Sequence, residues 1–220
     1  MDLVEEVALG YGIQNFEPTI SPSQTIGQTN TLSLQLKSLD QIMIGLGFLE
    51  ALNSSLSSKR VLYDMTNRDS KKIISVLDSK SQEHTILRDS IFPGLIENLS
   101  RNIHESYPQK IFETGSIFNL DNPISEKTNL AVISAHKDAN FTEIKSVLQT
   151  ALKIGFGIQI ETKTAINPSF KNGHCANIIF NKNIVGIIGE IDSKIIDNYK
   201  IRVPVVGFEI SLSDSILKSI

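Results

Sequence analysis

Apolar residues recur at helical spacing along four stretches of this chain, and elsewhere they alternate or cluster in short runs. Asp2 to Leu9 (DLVEEVAL) reads as a short helix. Asp2 is its expected N-cap, and Gly10 and Gly12 supply the stop. The segment 15–30 follows, with Pro18, Pro22, Gly27 and many Ser, Thr and Gln, as in a linker or extended arm. From Ser33 the period returns to helical: Leu36, Leu39, Met43 and Leu46 share a face, and Gly45 and Gly47 break the helix. A helix near Ser90 carries Pro93 in its first turn, where a missing amide is tolerated, and Leu95, Leu99 and Ile103 on one face. In the fourth stretch Phe141, Ile144, Leu148 and Ala151 form the core face. Asn140 and Glu143 read as its capping pair, and Gly155 as its end.

Between these helices lie strand-like runs at 48–56, 72–77, 85–87, 110–118, 130–136, 158–164, 176–180, 184–191 and 203–211. Short helices are expected at 57–65 and 192–199. Asn181, Lys182 and Asn183 sit at a turn between two strands, where Asn tolerates left-handed backbone. Hairpin-length connections with irregularly placed helices describe an α+β domain around a largely antiparallel sheet, not a βαβ alternation.

Composition narrows this picture only a little. With 220 residues, 40% of them hydrophobic, the chain can fill an ordinary core. A net charge of −3 gives no global attraction to DNA or RNA. The lone Cys175 can form neither an internal disulfide nor a cysteine zinc site, which points to a reducing, cytoplasmic setting. No apolar run is long enough to span a membrane, so no membrane association is expected. A helical pattern that starts immediately after Met1 suggests a chain that begins partway through a longer architecture.

Few residues suggest chemistry. Asp2, Glu5 and Glu6 stand three and four positions apart, on one side of the first helical turn. They are the candidate magnesium ligands, since Mg²⁺ takes hard oxygen donors and keeps several waters. The plainer account is a helix N-terminus that favours acids. His84, His104, His136 and His174 make no metal-binding pattern. His174 and Cys175 are adjacent, so in a strand they face opposite ways and cannot act as a dyad. The glycines at 45–47 and 155–157 are too few for a dinucleotide fingerprint. Lys59–Arg60, Lys71–Lys72 and Arg101 would touch RNA phosphates only as scattered surface charges.

Three blocks in order carry a family resemblance. Asp40–Ser58, DQIMIGLGFLEALNSSLSS, looks like the motif 1 helix and strand of class II aminoacyl-tRNA synthetases. Thr85–Asn102, TILRDSIFPGLIENLSRN, is similar to the "LR…PGLL" segment of phenylalanyl-tRNA synthetase β subunits. Gln109–Phe118, QKIFETGSIF, resembles the first strand of motif 2. With VVGFEISL near the C-terminus, the chain resembles the β subunit of the archaeal and eukaryotic type over nearly its whole length. DLVEEVALGYG looks like the end of a winged-helix-like module that precedes the synthetase-like part.

The resemblance implies a class II synthetase-like antiparallel sheet flanked by helices. It implies three parts: the end of a preceding module at 1–14, an arm at 15–32, and a synthetase-like module at 33–220. It also implies that the module is non-catalytic. The family's active members follow the motif 2 strand with arginine and then glutamate; here those positions are Asn119 and Asp121. Motif 3 ends in an arginine, and none follows Arg202 here. Arginine clamps ATP phosphates through a planar, permanently charged fork. Arg88 is then either a leftover substrate or RNA contact or half of an ion pair. The implied role is to scaffold the catalytic α subunit in an α₂β₂ enzyme that joins phenylalanine to tRNA(Phe), with ATP used by the assembly and not bound here. The partner surface would lie within 33–56, where Ile42, Met43, Ile44, Leu46, Phe48 and Leu49 crowd more than one helix face; the alternative for these residues is ordinary core packing. In the family a DLVEE-type segment joins an earlier aspartate, which would lie upstream of Met1, in holding magnesium. The competing functions are an independent class II-like ATP-binding ligase and an RNA-binding module.

Overall fold

The computed structural model describes residues 1–20, 22, 26–70, 72–212 and 216. They form two units, 1–30 and 31–220.

The first unit is a helix α1 (Asp2–Tyr11), a 3-10 turn (Ile13–Asn15) and extended chain. Asp2 is inside the helix; the capping position is Met1, which makes no side-chain cap, so the expected Asp2 cap is corrected. Leu3, Val4, Val7 and Leu9 are all exposed. The turn is held by Asn15 Nδ2 donating to the Tyr11 carbonyl at 2.7 Å and by an edge contact between Tyr11 and Phe16.

The second unit is built on a seven-stranded sheet: β1 (Leu49–Glu50), β4 (Gln109–Asn119), β5 (Ser125–Ala135), β6 (Glu161–Thr164), β7 (Phe170–Phe180), β8 (Asn183–Ile191) and β9 (Val205–Ser211). Their order is β1-β4-β5-β9-β8-β7-β6, and every pairing is antiparallel except β1 with β4. A small ladder of β2 (Leu56–Ser57) and β3 (Ile86–Leu87) stands apart. The helices are α2 (Thr31–Gly45), α3 (Phe92–Arg101), α4 (Phe141–Phe156) and α5 (Ser193–Asn198). This is the expected α+β fold with an antiparallel sheet flanked by helices.

Because side chains alternate across a strand, each strand supplies both faces. On one face α2 and α4 pack over Phe112, Leu130, Val132, Ile178, Ile188, Phe208 and Ile210, with Leu39, Met43, Ile144, Leu148, Ala151 and Leu152 facing them. Burying each such Leu or Ile contributes about 1.5–3 kcal/mol. On the other face α3 and α5 cover Ile117, Ala131, Ile133, Cys175 and Val205 through Leu95, Leu99 and Ile195.

Local chemistry explains the element ends. Asn140 Oδ1 accepts from the Glu143 amide at 3.0 Å, so the cap on α4 is present. The Glu143 carboxylate, however, turns to Lys110 and His136 instead of completing a capping box. The stop of α4 is Gly157, at φ +67°, not Gly155, which lies inside the helix against Leu39 and Ile42 of α2. Asp192 caps α5 by accepting from the Lys194 amide. Asn181 (φ 49°) and Lys182 (φ 67°) form the two-residue turn between β7 and β8.

Several expected strands differ. The run 48–56 is not one strand: it holds β1 and the start of β2, joined by residues without ladder pairing. In 72–77 a single bridge, Ser75 with Ile86, is all that forms. The helix expected at 57–65 is a π-helical turn, Arg60–Asp64. Strand β7 starts at Phe170, six residues early, because a register shift between Phe170 and Cys175 interrupts its alternation.

Candidate functional site

The α3/α5 face of the sheet is only partly covered. Past the N-terminus of α3 it opens into a cleft of about 420 Å³. The floor is one row of the sheet. Asn129 pairs with Ser211, and Glu209 lies between Ala131 and Ile187, which in turn faces Asn177. Phe92, Pro93 and Phe170 form one wall, and Arg68, Asp89 and Ser90 another.

Glu209 is the centre of this face. It is 8% exposed, in a strand otherwise made of apolar residues and glycine up to the terminal Ser211. Its carboxylate accepts from Ser90 Oγ (2.6 Å), the Ile91 amide (3.2 Å), the Phe92 amide (3.1 Å) and Asn129 Nδ2 (2.6 Å). Two of these donors are backbone amides at the start of α3, where the helix leaves N–H groups unpaired and favours negative charge. The carboxylate thus anchors α3 to the sheet, and its acceptor capacity is largely used.

Arg88 and Glu113 form a second buried charge centre, 5% and 0% exposed. Arg88 Nη1 donates to Glu113 Oε1 at 2.5 Å, and Arg88 Nε donates to the Ser116 carbonyl at 2.9 Å. The second carboxylate oxygen accepts from Asn53 Nδ2 at 2.6 Å. A Cβ on Gly115 would stand 2.5 Å from Arg88 Nη2, so the glycine makes room for the guanidinium. Arg88 is therefore half of an ion pair. At the cleft wall Arg68 meets Asp89 with two parallel bonds of 2.9 and 3.0 Å, and also bonds the Leu62 carbonyl. The Tyr63 ring lies under the Arg68 guanidinium, and burial, and after it the charge of Asp89, pushes its hydroxyl up to about 12.

The arginines near the cleft are thus both committed to carboxylates of the same chain. Asn119 lines the cleft at the end of β4, and Asp121 accepts from Ser125 Oγ at the β4–β5 turn. Among the described residues lining the cleft, Lys127 is the one cation with no carboxylate at ion-pair distance.

The other expected residues fall elsewhere. Asp2, Glu5 and Glu6 are exposed on one turn of α1, and among the described residues no three His, Cys, Asp or Glu side chains gather to hold a metal ion. Short carboxylates on one exposed turn point into water and do not by themselves enclose an octahedral ion. His174 Nδ1 is 3.0 Å from Glu190 Oε1, while the buried Cys175 points to the opposite face, its thiol pushed up to about 11 by burial. Arg101 pairs with Glu97 one helical turn away; Lys71 lies outside the described residues. Of the crowded apolar set in 42–49, Met43 and Phe48 are core, and Ile42 and Leu46 pack against it. Ile44 (55%) and Leu49 (72%) are exposed, as is nearby Leu52.

Sequence reasoning missed Glu209 and Glu113. The available signal was a single carboxylate in the middle of an apolar strand, VVGFEIS in one case and KIFETG in the other, since such a group is rarely buried without partners.

Residues 17–212 match the phenylalanyl tRNA synthetase beta chain CLM domain. The chain is 37% identical over 216 residues to the phenylalanine–tRNA ligase beta subunit of Methanocaldococcus jannaschii, covering 96% of this chain and 39% of that one. It is 34% identical over 220 residues to that of Methanosarcina acetivorans, covering all of this chain and 40% of the relative. For that of Archaeoglobus fulgidus the figures are 36% over 217 residues, 96% and 39%. The chain therefore spans about 40% of the length of these relatives. Among solved structures, a pyrrolysyl tRNA synthetase from Desulfitobacterium hafniense, PylSc, superposes with a TM-score of 0.67 at 18% identity, over 82% of this chain and 66% of that chain, a likeness of fold alone.

Proposed function

We propose, from the premise that this chain belongs to the phenylalanyl-tRNA synthetase β-chain family, that it is a synthetase-like module that scaffolds and does not catalyse. Its role is to hold a catalytic α subunit, in an α₂β₂ assembly, for the ATP-dependent joining of phenylalanine to tRNA(Phe) in the cytoplasm. The observation that carries this reading is the fate of the arginines. Arg88 and Arg68 are spent on Glu113 and Asp89, and Asn119 and Asp121 stand where the resemblance places the catalytic arginine and glutamate. A triphosphate needs several fixed cations to offset its charge, and one rim lysine does not supply them.

The contact surface in this reading is the motif 1-like block. Ile44, Leu49 and Leu52 present apolar area to solvent beside the edge strand β1, and a neighbouring subunit would bury it. Magnesium enters only as an ion that Asp2, Glu5 and Glu6 would share with further oxygen ligands from the rest of the assembly.

Light scattering on a size-exclusion column, with this chain alone and mixed with the family's α subunit, tests the proposal. A co-eluting complex that Leu49→Asp weakens is the expected result. A chain that stays monomeric and folded beside the α subunit would contradict an interface within these residues.

A further inference from the structure

The cleft beside Glu209 has no part in the scaffold reading, yet it is furnished as a binding site. Its volume of about 420 Å³ falls in the range of small-molecule sites, which join apolar walls to a few converging polar groups. The walls are there: Phe92 and Phe170, whose ring centroids lie 5.5 Å apart, with Ile117 and Ile187. The polar groups are Asn177, Asn119, Ser211 and Asn129.

Asn129 sets the chemistry. It is 6% exposed. Its Nδ2 donates to Glu209, and that assignment is forced, because an ionised carboxylate only accepts. Oδ1 is therefore left as an acceptor, and it has no hydrogen-bond partner among the described residues. A buried acceptor without a donor is disfavoured, and such groups in native proteins are almost always satisfied. Charge decides what the donor belongs to. Arg68 and Asp89 neutralise each other, Glu209 is negative, and Lys127 is the remaining cation. A multiply charged anion finds too little positive charge, while a neutral molecule incurs no charge desolvation.

We infer that this cleft binds a small, neutral, flat molecule, an aromatic or heteroaromatic amide or amine, with its ring between Phe92, Phe170 and Ile187 and its N–H reaching Asn129 Oδ1, an atom with almost no accessible surface in the free chain, once the Asn129 side chain turns toward the cleft.

Benzamide is the probe, titrated into the ¹⁵N-labelled chain and followed by NMR, with benzoate as the ring that lacks the N–H donor. The expected result is saturable movement of the Asn129, Ile187 and Ser211 amide signals with a dissociation constant on the order of 1 mM, as befits so small a ligand. Benzoate should bind at least about tenfold more weakly. Asn129→Leu should weaken benzamide by about tenfold. If that variant loses its fold with the loss of a Glu209 donor, Asn177→Phe fills the cleft from a half-buried strand position, leaves the Glu209 cluster intact and should abolish the shifts. Absence of cleft shifts with benzamide, equal binding of benzoate, or shifts that persist in Asn177→Phe would overturn the inference. None of these readings involves the α subunit, so they stand apart from the scaffold test.

Discussion

The two faces of the seven-stranded sheet come from the same strands and are held by different forces. Beneath α2 and α4 the side chains are almost wholly apolar, and Thr114 Oγ1 donating to Asp40 is one of the few polar ties. Beneath α3 the same strands, one residue out of phase, place Glu113 and Glu209, each wrapped in donors. Packing holds the first face and tolerates changes of shape in a graded way. The second face is held by charges that must stay matched, because an unpaired ion in a dry environment costs far more than a lost methyl group. On this face the arginines are matched within the chain, Arg88 by Glu113 and Arg68 by Asp89, and the cleft beside Glu209 is the part that stays open.

The largest expected effect breaks the charged face. Arg88→Ala leaves Glu113, at 0% exposure, with Asn53 as its remaining side-chain donor. It should cost about 3–5 kcal/mol in urea unfolding, whereas Arg88→Met combined with Glu113→Leu should recover most of that loss. A single-variant cost below that of an exposed pair would show the charges to be solvated. On the other face, Leu148→Ala should cost about 2–4 kcal/mol through the cavity it leaves, with no dependence on salt. Glu209→Gln keeps the shape but gives up charge-assisted bonds to the start of α3. We expect a loss of about 2 kcal/mol, and faster hydrogen exchange at Ile91 and Phe92 before the rest of the helix.

The smallest effect depends on pH. Burial alone would raise the Glu143 carboxyl, but the bonds and charges of Lys110 and His136 outweigh it and hold the group below its usual value of 4.5. A depressed folded-state value contributes stability above the unfolded value, and that stability is lost as pH falls through the folded one. Stability should therefore decline below about pH 4.5 more steeply in the native chain than in Glu143→Gln. Parallel pH curves for the two would remove Glu143 from this role.

What could be read from the sequence follows the same division. The helices were legible where a buried face repeats, as with Leu95 and Leu99 in α3 or Ile144, Leu148 and Ala151 in α4. The α3 reading ran too far at Ile103, which lies past the helix end and is half-buried. Strand β5 begins at Ser125, five residues before the apolar run at Leu130, because hydrogen bonding to β4 continues beyond the core, where no hydrophobic signal marks it. The loop after β1 carries the apolar count of a strand, but Leu52 is exposed and Asn53 is used for its side chain. The candidate site was the least legible part. Pairings such as Arg88 with Glu113, or Glu209 with the start of α3, join residues 25 and more than 100 positions apart, and only the fold brings them together.

The central claim is that the charged groups of the α3 face are committed to structure and leave no clamp for a triphosphate. Calorimetric titration of the chain with magnesium and ATP tests it most directly. The account predicts no saturable heat at nucleotide concentrations up to about 5 mM, weaker than roughly −3 kcal/mol of binding free energy. Saturable micromolar binding, lost on Lys127→Ala or Arg68→Ala, would contradict it and restore this face as a nucleotide site.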